Sequence, residues 1–423
     1  MKILHTSDWH LGARIGRVDR ADDAFARITE LTEVIDVEQV DLLLVAGDVF
    51  DETRAIQLGG LIRRLAQLLS VCITQGLRVV FLAGNHDREP VFALLQAASD
   101  LFGPGTAERV TFVQRPVLLE VPSRDGTGAV ALACIPYPTH FRYDLETRSW
   151  PSLDVRNREL AEAVRIRITE LAEEAAVRCA GLPTVMAAHL LVRNAKVGQG
   201  VYCLTEAEDV PVERGDLLAW DYIALGHIHK PQDMGHPNIR YSGSIERMDL
   251  GEANDTKSAV IVEVNGRGSA RHRIVTLNTT PFASVQASTE TDLLARREEL
   301  GDPDRTLVSL TLVIDGTESV TGLVARAHEL FPRLYREPEI RRTIHPGRET
   351  SVSGFDRSDV AGTVRGYLQE QLTGDPDAEQ VLALADELLA SDELSTMLAH
   401  DLRSSLNSWA ARRRAVLMEI ARR

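Results

Sequence analysis

The sequence predicts an α/β protein: a layered α/β sandwich, then a small β-α-β-α-β domain, then a helical tail. Three observations predict it. Short aliphatic runs alternate with amphipathic stretches from residue 1 to about 275, the rhythm tightens at Pro281, and beyond Gly354 apolar residues recur at helical spacing. A chain of 423 residues is long enough for two or three domains, and we place their bounds at 1–278, 279–346 and 355–423.

In chain order, the runs 2–6, 40–46, 77–82, 129–135, 184–188 and 222–225 read as buried strands. They are short, β-branched or aliphatic, and end in polar or glycine residues. Between them 22–37 and 57–75 read as helices, and 160–179 as another, stopped by Gly181 and Pro183. In the second domain, strands 282–287, 307–314 and 339–344 enclose helices 292–300 and 319–334. After a turn-rich stretch, 346–354, the tail is helical, broken at 374–376. Its last segment, 393–421, would run about 43 Å at ~1.5 Å per residue.

Composition excludes several classes. Hydrophobic residues at 44% and charged residues at 26% exclude a disordered or disulfide-scaffold chain. Cys72, Cys134, Cys179 and Cys203 form no C-x-x-C pair, which excludes zinc-ribbon and thioredoxin-type sites and fits reduced thiols in a cytoplasm. Met1 to His5 lacks a signal-peptide pattern, and no apolar stretch approaches the roughly 20 residues that span a bilayer, so we expect no membrane partner. A net charge of −15 argues against broad electrostatic adhesion to polyanions, so any such partner is held locally.

Five polar motifs follow predicted strands: Asp8-Trp9-His10, Gly47-Asp48-Val49-Phe50-Asp51, Gly84-Asn85-His86-Asp87, His189, and Gly226-His227-Ile228-His229. One such motif is an ordinary loop. Five in this order point to a binuclear metal centre, because neutral imidazoles, carboxylates and an amide oxygen suit divalent manganese, iron or zinc. Asp48 is the candidate bridge; Asp8, His10 and His229 complete one shell, and Asn85, His189 and His227 the other. In extended chain the two side chains of D-x-H and of H-x-H share one face, which would let both members enter the cluster. Two such cations acidify water and neutralise a phosphate. His86 is the candidate general acid. Its orienting partner is Asp51, with Asp87 as the alternative or as a plain turn residue. His5, of opposite parity to Asp8, reads as structural.

These motifs resemble the calcineurin-like metallophosphoesterase superfamily. The closer likeness is to the SbcD and Mre-type DNA-repair nucleases, carried by residues 3–12, 47–51, 84–87, 224–232 and Tyr241-Ser242-Gly243-Ser244. All eight positions Asp8, His10, Asp48, Asn85, His86, His189, His227 and His229 match that pattern. The resemblance implies an α/β-sandwich metallophosphoesterase domain with a capping domain. It implies a Mn²⁺-dependent phosphodiesterase that degrades DNA ends as a 3′-to-5′ exonuclease and cuts single strands or hairpins endonucleolytically. It also implies a homodimer, a partner ATPase of the SMC-like SbcC type, and a cytoplasmic, nucleoid-associated setting.

Surfaces leave alternatives open. Arg326, Arg333, Arg336, Arg341, Arg342 and Arg348 make the second domain the most basic stretch, either a DNA-backbone grip or a solvated surface. Arg14 and Arg17, and Arg193 with Lys196, are further phosphate candidates. The stripe Leu58, Leu61, Ile62, Leu65, Leu68 and Leu69, with Val91, Phe92, Leu94 and Leu95, is either core or a two-fold interface. The stripes of the tail, from Val381 to Leu389 and from Leu394 to Ile420, either fold back or dock on the ATPase. A phosphatase with the same chemistry competes with the nuclease; against it, Asp51 is followed by Glu52-Thr53. A non-enzymatic scaffold should have lost ligands, and none is missing.

Overall fold

The computed structural model describes residues 1–51, 54–101, 105, 108–145, 149–197, 209–315 and 320–343, with 362, 365–366, 368–369 and 378–389 beyond them. Two six-stranded sheets form its centre. The first runs Ala270–Thr276, Ser258–Val264, Lys2–Thr6, Leu42–Val45, Arg78–Leu82, Val110–Val113; the second runs Gln232–Asp233, Ile239–Tyr241, Tyr222–Gly226, Thr184–His189, Ala129–Ile135, Val117–Pro122. Alternation along each strand explains the layering. Leu42 and Leu44 face the second sheet, meeting Leu132, Cys134, Val185 and Tyr222. Leu43 and Val45 face outward onto the helices Ala21–Glu38 and Ala55–Thr74 through Phe25, Ile28 and Leu65. The outer face of the second sheet is covered by the helix Leu153–Arg178 through Val164, Ile168 and Leu171. The result is a four-layer α/β/β/α sandwich.

The six predicted strands are present within one or two residues, because buried strands in a parallel sheet read as plain aliphatic runs. Val110–Val113, Val117–Pro122, Ser258–Val264 and Ala270–Thr276 escaped the sequence reading. The last is an edge strand with an exposed, charge-rich face, which blurs its apolar pattern. The parallel sheet Phe282–Ala287, Leu307–Asp315, Glu339–Thr343 carries helices Glu290–Glu299 and Thr321–Leu330 and its own core of Leu293, Leu310, Leu312 and Phe331. Residues Met1–Thr343 group as one compact unit and Ile344–Arg423 as a second. In the latter, the helix Ala378–Leu389 is described, with Arg365 paired to Asp386 at 2.6 Å. Arg348, Cys203 and the predicted helix 393–421 lie outside the described residues.

One expectation is corrected. The segment Ile56–Thr74, 19 residues long, is long and apolar enough to cross a membrane, and 17% of it is buried. Arg63 and Arg64 interrupt the segment without making the helix polar. Its Leu58, Leu65, Leu69 and Cys72 pack on the first sheet. Ile56 is 89% exposed, and Leu101 on the neighbouring helix Glu89–Leu101 is 82% exposed.

Candidate metal centre

The five motifs meet where strands of both sheets end. Pairing in register brings Thr6 beside Val45, and Gly226 beside His189, so four of the motif loops leave adjacent strand ends. The loops are then tied to one another: Asp8 N–H donates to the Gly47 carbonyl at 2.9 Å, and His10 N–H to the Asp48 carbonyl at 3.0 Å. Asp87 accepts from the backbone N–H groups of Val49, Phe50 and Gly84 at 2.9–3.1 Å, joining the second and third loops. The buried Arg142 donates to the Gly84 and Asp87 carbonyls from the other side.

The expectation that D-x-H and H-x-H converge as extended chain is corrected. Asp8 and His10 lie past the end of Lys2–Thr6 with φ of 52° and 44°, and Asp48 and His227 have φ of 52° and 99°. Four of seven candidate ligands occupy a left-handed backbone that non-glycine residues rarely adopt. The loops curl inward, and that curl, rather than strand parity, aims the side chains. Close approach fixes two glycines: a Cβ on Gly84 would fall 2.1 Å from Asp48 Oδ1, and one on Gly47, at φ of 100°, 1.9 Å from His189 Nδ1.

All seven expected ligands face one cluster. Asp8, His10 and His229 present donor atoms within 4.8 Å of one another, as do Asp8, Asp48 and His189. His10 Nε2 lies 3.7 Å and His189 Nε2 3.3 Å from Asp48 Oδ2, so Asp48 sits between the two halves. Asn85 Oδ1 is 3.0 Å from both His189 Nε2 and His227 Nδ1. His10 Nε2 and His229 Nε2 point at each other across 3.1 Å. The donor set fits divalent cations. His229 Nδ1 donates to Glu252 Oε1 at 2.9 Å, so a neutral His229 turns a lone pair toward His10, a contact that a cation between the rings would reconcile. Burial alone would raise Asp48 and lower His189, yet their contact reverses both: Asp48 goes well below the usual carboxylate range, and His189 rises to about 9. The pocket thus draws positive charge to Asp48. Burial pushes His10 down to about 4, keeping it a neutral donor.

His86 stands beside this cluster, its ring centroid 4.8 Å from that of His10. Its Nδ1 donates to Asp51 Oδ1 at 2.6 Å, and its N–H to Asp48 Oδ1 at 2.8 Å. Burial disfavours its charged form, but the Asp51 hydrogen bond and the Asp48 and Asp51 charges raise it to about 9. Of the two partners considered for His86, Asp51 makes the contact; Asp87 is spent on three backbone N–H groups. His5 is buried at a distance, bonded to Tyr222 Oη and the Leu225 carbonyl at 3.1 Å each.

Three residues of this centre carried no sequence signal. Asp209 Oδ2 accepts from His227 Nε2 at 2.5 Å, Glu252 accepts from His229, and Lys257, fully buried, donates to Glu252 Oε2 at 2.7 Å. None lies in a recognisable motif, and each reaches its histidine only through the fold.

The arginines are spread differently from expectation. Arg333 is no exposed phosphate contact: its guanidinium is bonded to Asp23 and to the Arg305 carbonyl, tying the small domain to the helix Ala21–Glu38. The sequence reading counted only neighbouring acids, and Asp23 is 310 residues away. Arg17 pairs with Glu337, and Arg14 lies 3.5 Å from Asp19. Arg341 bonds Glu339 at 3.0 Å, Arg336 and Arg342 are exposed, and Arg193 bonds Glu213 at 2.7 Å.

The model of the calcineurin-like phosphoesterase family matches residues 1–231, more than half of the chain and all five polar motifs. The chain belongs to the calcineurin-like phosphoesterases. As a calcineurin-like phosphoesterase it has the donor set and fold of a metal-dependent phosphoesterase. It is 26% identical over 354 residues to the SbcD subunit of nuclease SbcCD from Rhodobacter capsulatus, covering 74% of this chain and 84% of that protein. It is 29% identical over 283 residues to the protein of the same name from Bacillus subtilis, covering 62% of this chain and 66% of that one. A dimetal phosphatase of Danio rerio aligns over 66% of this phosphoesterase and 99% of its own chain at 12% identity, with a TM-score of 0.40.

Proposed function

We propose that this chain is an SbcD-like nuclease subunit that hydrolyses DNA phosphodiester bonds at a two-ion centre, as a 3′-to-5′ exonuclease on double-stranded ends and an endonuclease on single strands and hairpins, in DNA repair and recombination. The observation that carries this reading is the clustering of six further metal-compatible side chains around Asp48, Asn85 and His227 joining through His189, with His86 held by Asp51 at 2.6 Å beside them. Asp8, His10, Asp48 and His229 would hold one divalent ion, and Asp48, Asn85, His189 and His227 the other, most simply Mn²⁺ for this mixed nitrogen and oxygen set. When bound, the pair supplies acidified water and charge neutralisation on a phosphate. His86 supplies the proton: with Nδ1 committed to Asp51, Nε2–H is the atom that protonates the departing ester oxygen. Asp51 orients the ring and stabilises its charged form.

Arg14, Arg17, Arg336, Arg341 and Arg342 are the arginines we propose for the DNA backbone; Arg333 is not among them, because its pair with Asp23 leaves it 17% exposed, whereas Arg17 and Arg341, though paired with acids, stay 65% and 64% exposed. The exposed apolar face of Ala55–Thr74 and Glu89–Leu101, with Ile56, Val71, Leu94 and Leu101, is our candidate for a homodimer contact. Residues 355–423 are our candidate for docking to an SbcC-type SMC-like ATPase, in the cytoplasm at the nucleoid. Nuclease activity on blunt, hairpin and single-stranded DNA with Mn²⁺, Mg²⁺ or chelator, beside an aryl phosphodiester, tests the proposal. Metal-dependent cleavage of DNA is expected. Turnover of the aryl ester with all three DNAs untouched would refute the nuclease and leave a phosphodiesterase of another substrate class.

A further inference from the structure

The two histidines of the Gly226-His227-Ile228-His229 loop are held by separate carboxylates, and the two holdings differ. His227 Nε2 meets Asp209 Oδ2 at 2.5 Å. Asp209 also takes Tyr137 Oη–H at 3.2 Å and its neighbouring Val210 N–H at 2.7 Å. His229 sits in a closed ring of contacts. Its Nδ1 meets Glu252 Oε1 at 2.9 Å, Glu252 Oε2 meets Lys257 Nζ at 2.7 Å, and Lys257 Nζ returns to the His229 carbonyl at 2.8 Å. One ion pair therefore fixes both the imidazole and the backbone of the same residue. Met248 N–H adds a third donor to Glu252 at 2.9 Å. Lys257 is fully buried and is one of only four lysines in the chain, so its position is not a surface accident.

Resting on the two-ion reading above, we infer that Glu252 and Lys257 are a positioning pair for His229. They set the affinity of the ion held by Asp8, His10 and His229, while Asp209 independently sets that of the ion held by Asn85, His189 and His227. The physical reason is tautomer and aim. A histidine whose Nδ1–H is committed to a fixed carboxylate keeps its Nε2 lone pair turned to the metal, and loss of such a partner typically costs about 10- to 100-fold in metal affinity. Glu252 accepts from His229, Lys257 and Met248 with two anionic oxygens. A glutamine at that position has one oxygen for those three donors, so the ring opens at His229 or at Lys257 without a change in volume.

The test uses the full chain and Mn²⁺ alone, read by calorimetric titration and by electron paramagnetic resonance, so it does not depend on turnover. Wild type is expected to bind two equivalents and give the spectrum of a spin-coupled pair. Glu252→Gln is expected to keep one tight equivalent, to weaken the other about 10- to 100-fold, and to show an isolated Mn²⁺ signal at one equivalent. Lys257→Met gives a second route to the same loss should the first variant fold poorly, with circular dichroism in chelator as the fold check. Asp209→Asn is expected to weaken one equivalent as well, and the Glu252→Gln, Asp209→Asn double variant to weaken both. Two tight equivalents in both Glu252→Gln and Lys257→Met, equal weakening of both ions in either one, or one tight equivalent surviving in the double variant would each overturn the inference. A wild-type protein that binds no ion pair would refute the proposed function itself, an outcome distinct from these.

Discussion

In the proposed mechanism Asp51 acts on the reaction only through His86, which makes the contribution of each measurable. The two side chains meet at 2.6 Å, with His86 raised to about 9 against its burial by this contact and by the charges of Asp48 and Asp51. A hydrogen bond to a charged partner contributes about 1.5–3 kcal/mol, and at ~1.4 kcal/mol per decade that is roughly 10- to 150-fold in rate. Removing the acid itself costs about 10²- to 10⁴-fold. Asp51→Asn should therefore lower kcat on a DNA oligonucleotide by about one to two decades and His86→Ala by two to four, each with two equivalents of Mn²⁺ still bound. In the His86→Ala background Asp51→Asn should cost nothing more, since there is no ring left to orient. The same variants should lose far less on an aryl phosphodiester, whose leaving group departs without a proton. Steady-state kinetics at saturating Mn²⁺ on both substrates supplies all the numbers. If Asp51→Asn were as damaging without His86 as with it, or the aryl ester suffered as much as DNA, the assignment of His86 as acid and Asp51 as its support would be wrong.

Other expectations follow from the same geometry. Asp48→Ala should abolish binding of both ions, and Gly84→Ala should do nearly as much by driving a methyl into Asp48 Oδ1; metal analysis after dialysis reads both. His5 is buried and pushed from 6.5 down to about 3, so the folded chain refuses a proton that the unfolded chain accepts. Its contribution to stability is complete above pH 6.5 and is lost as pH falls from there toward 3, by about 5 kcal/mol at most. Denaturant titrations should show a flatter pH dependence in that window for His5→Gln. Leu94→Glu, on an exposed apolar face, should shift the chain to monomer in light scattering with unchanged secondary structure if that face joins two copies; an unaltered mass of a dimer would remove the helix pair from the interface.

The legible part of this protein is the part whose signal is local. Aliphatic runs such as 42–45 and 184–189 are buried on both faces of a sheet, so burial writes them into the sequence directly. The seven donors proposed for the metals were legible because their chemistry is rare and each motif follows such a run. Edge strands were less so: Ala270–Thr276 alternates partly buried and exposed residues and carries Arg271 and Arg273, leaving little apolar pattern to read.

By itself the sequence determined the types and order of the candidate donors, the α/β layering and the Phe282–Ala287, Leu307–Asp315, Glu339–Thr343 sheet, because residue chemistry and hydrophobic period need no knowledge of distant neighbours. Only the tertiary structure decided that Asp51 rather than Asp87 meets His86, that Asp209 and Glu252 stand behind His227 and His229, and that Arg333 belongs to Asp23. Each of these is a contact between side chains on separate loops, and in the ligand loops the aim comes from left-handed backbone at Asp8, His10, Asp48 and His227. That conformation is held by bonds between loops, which no single stretch of sequence contains.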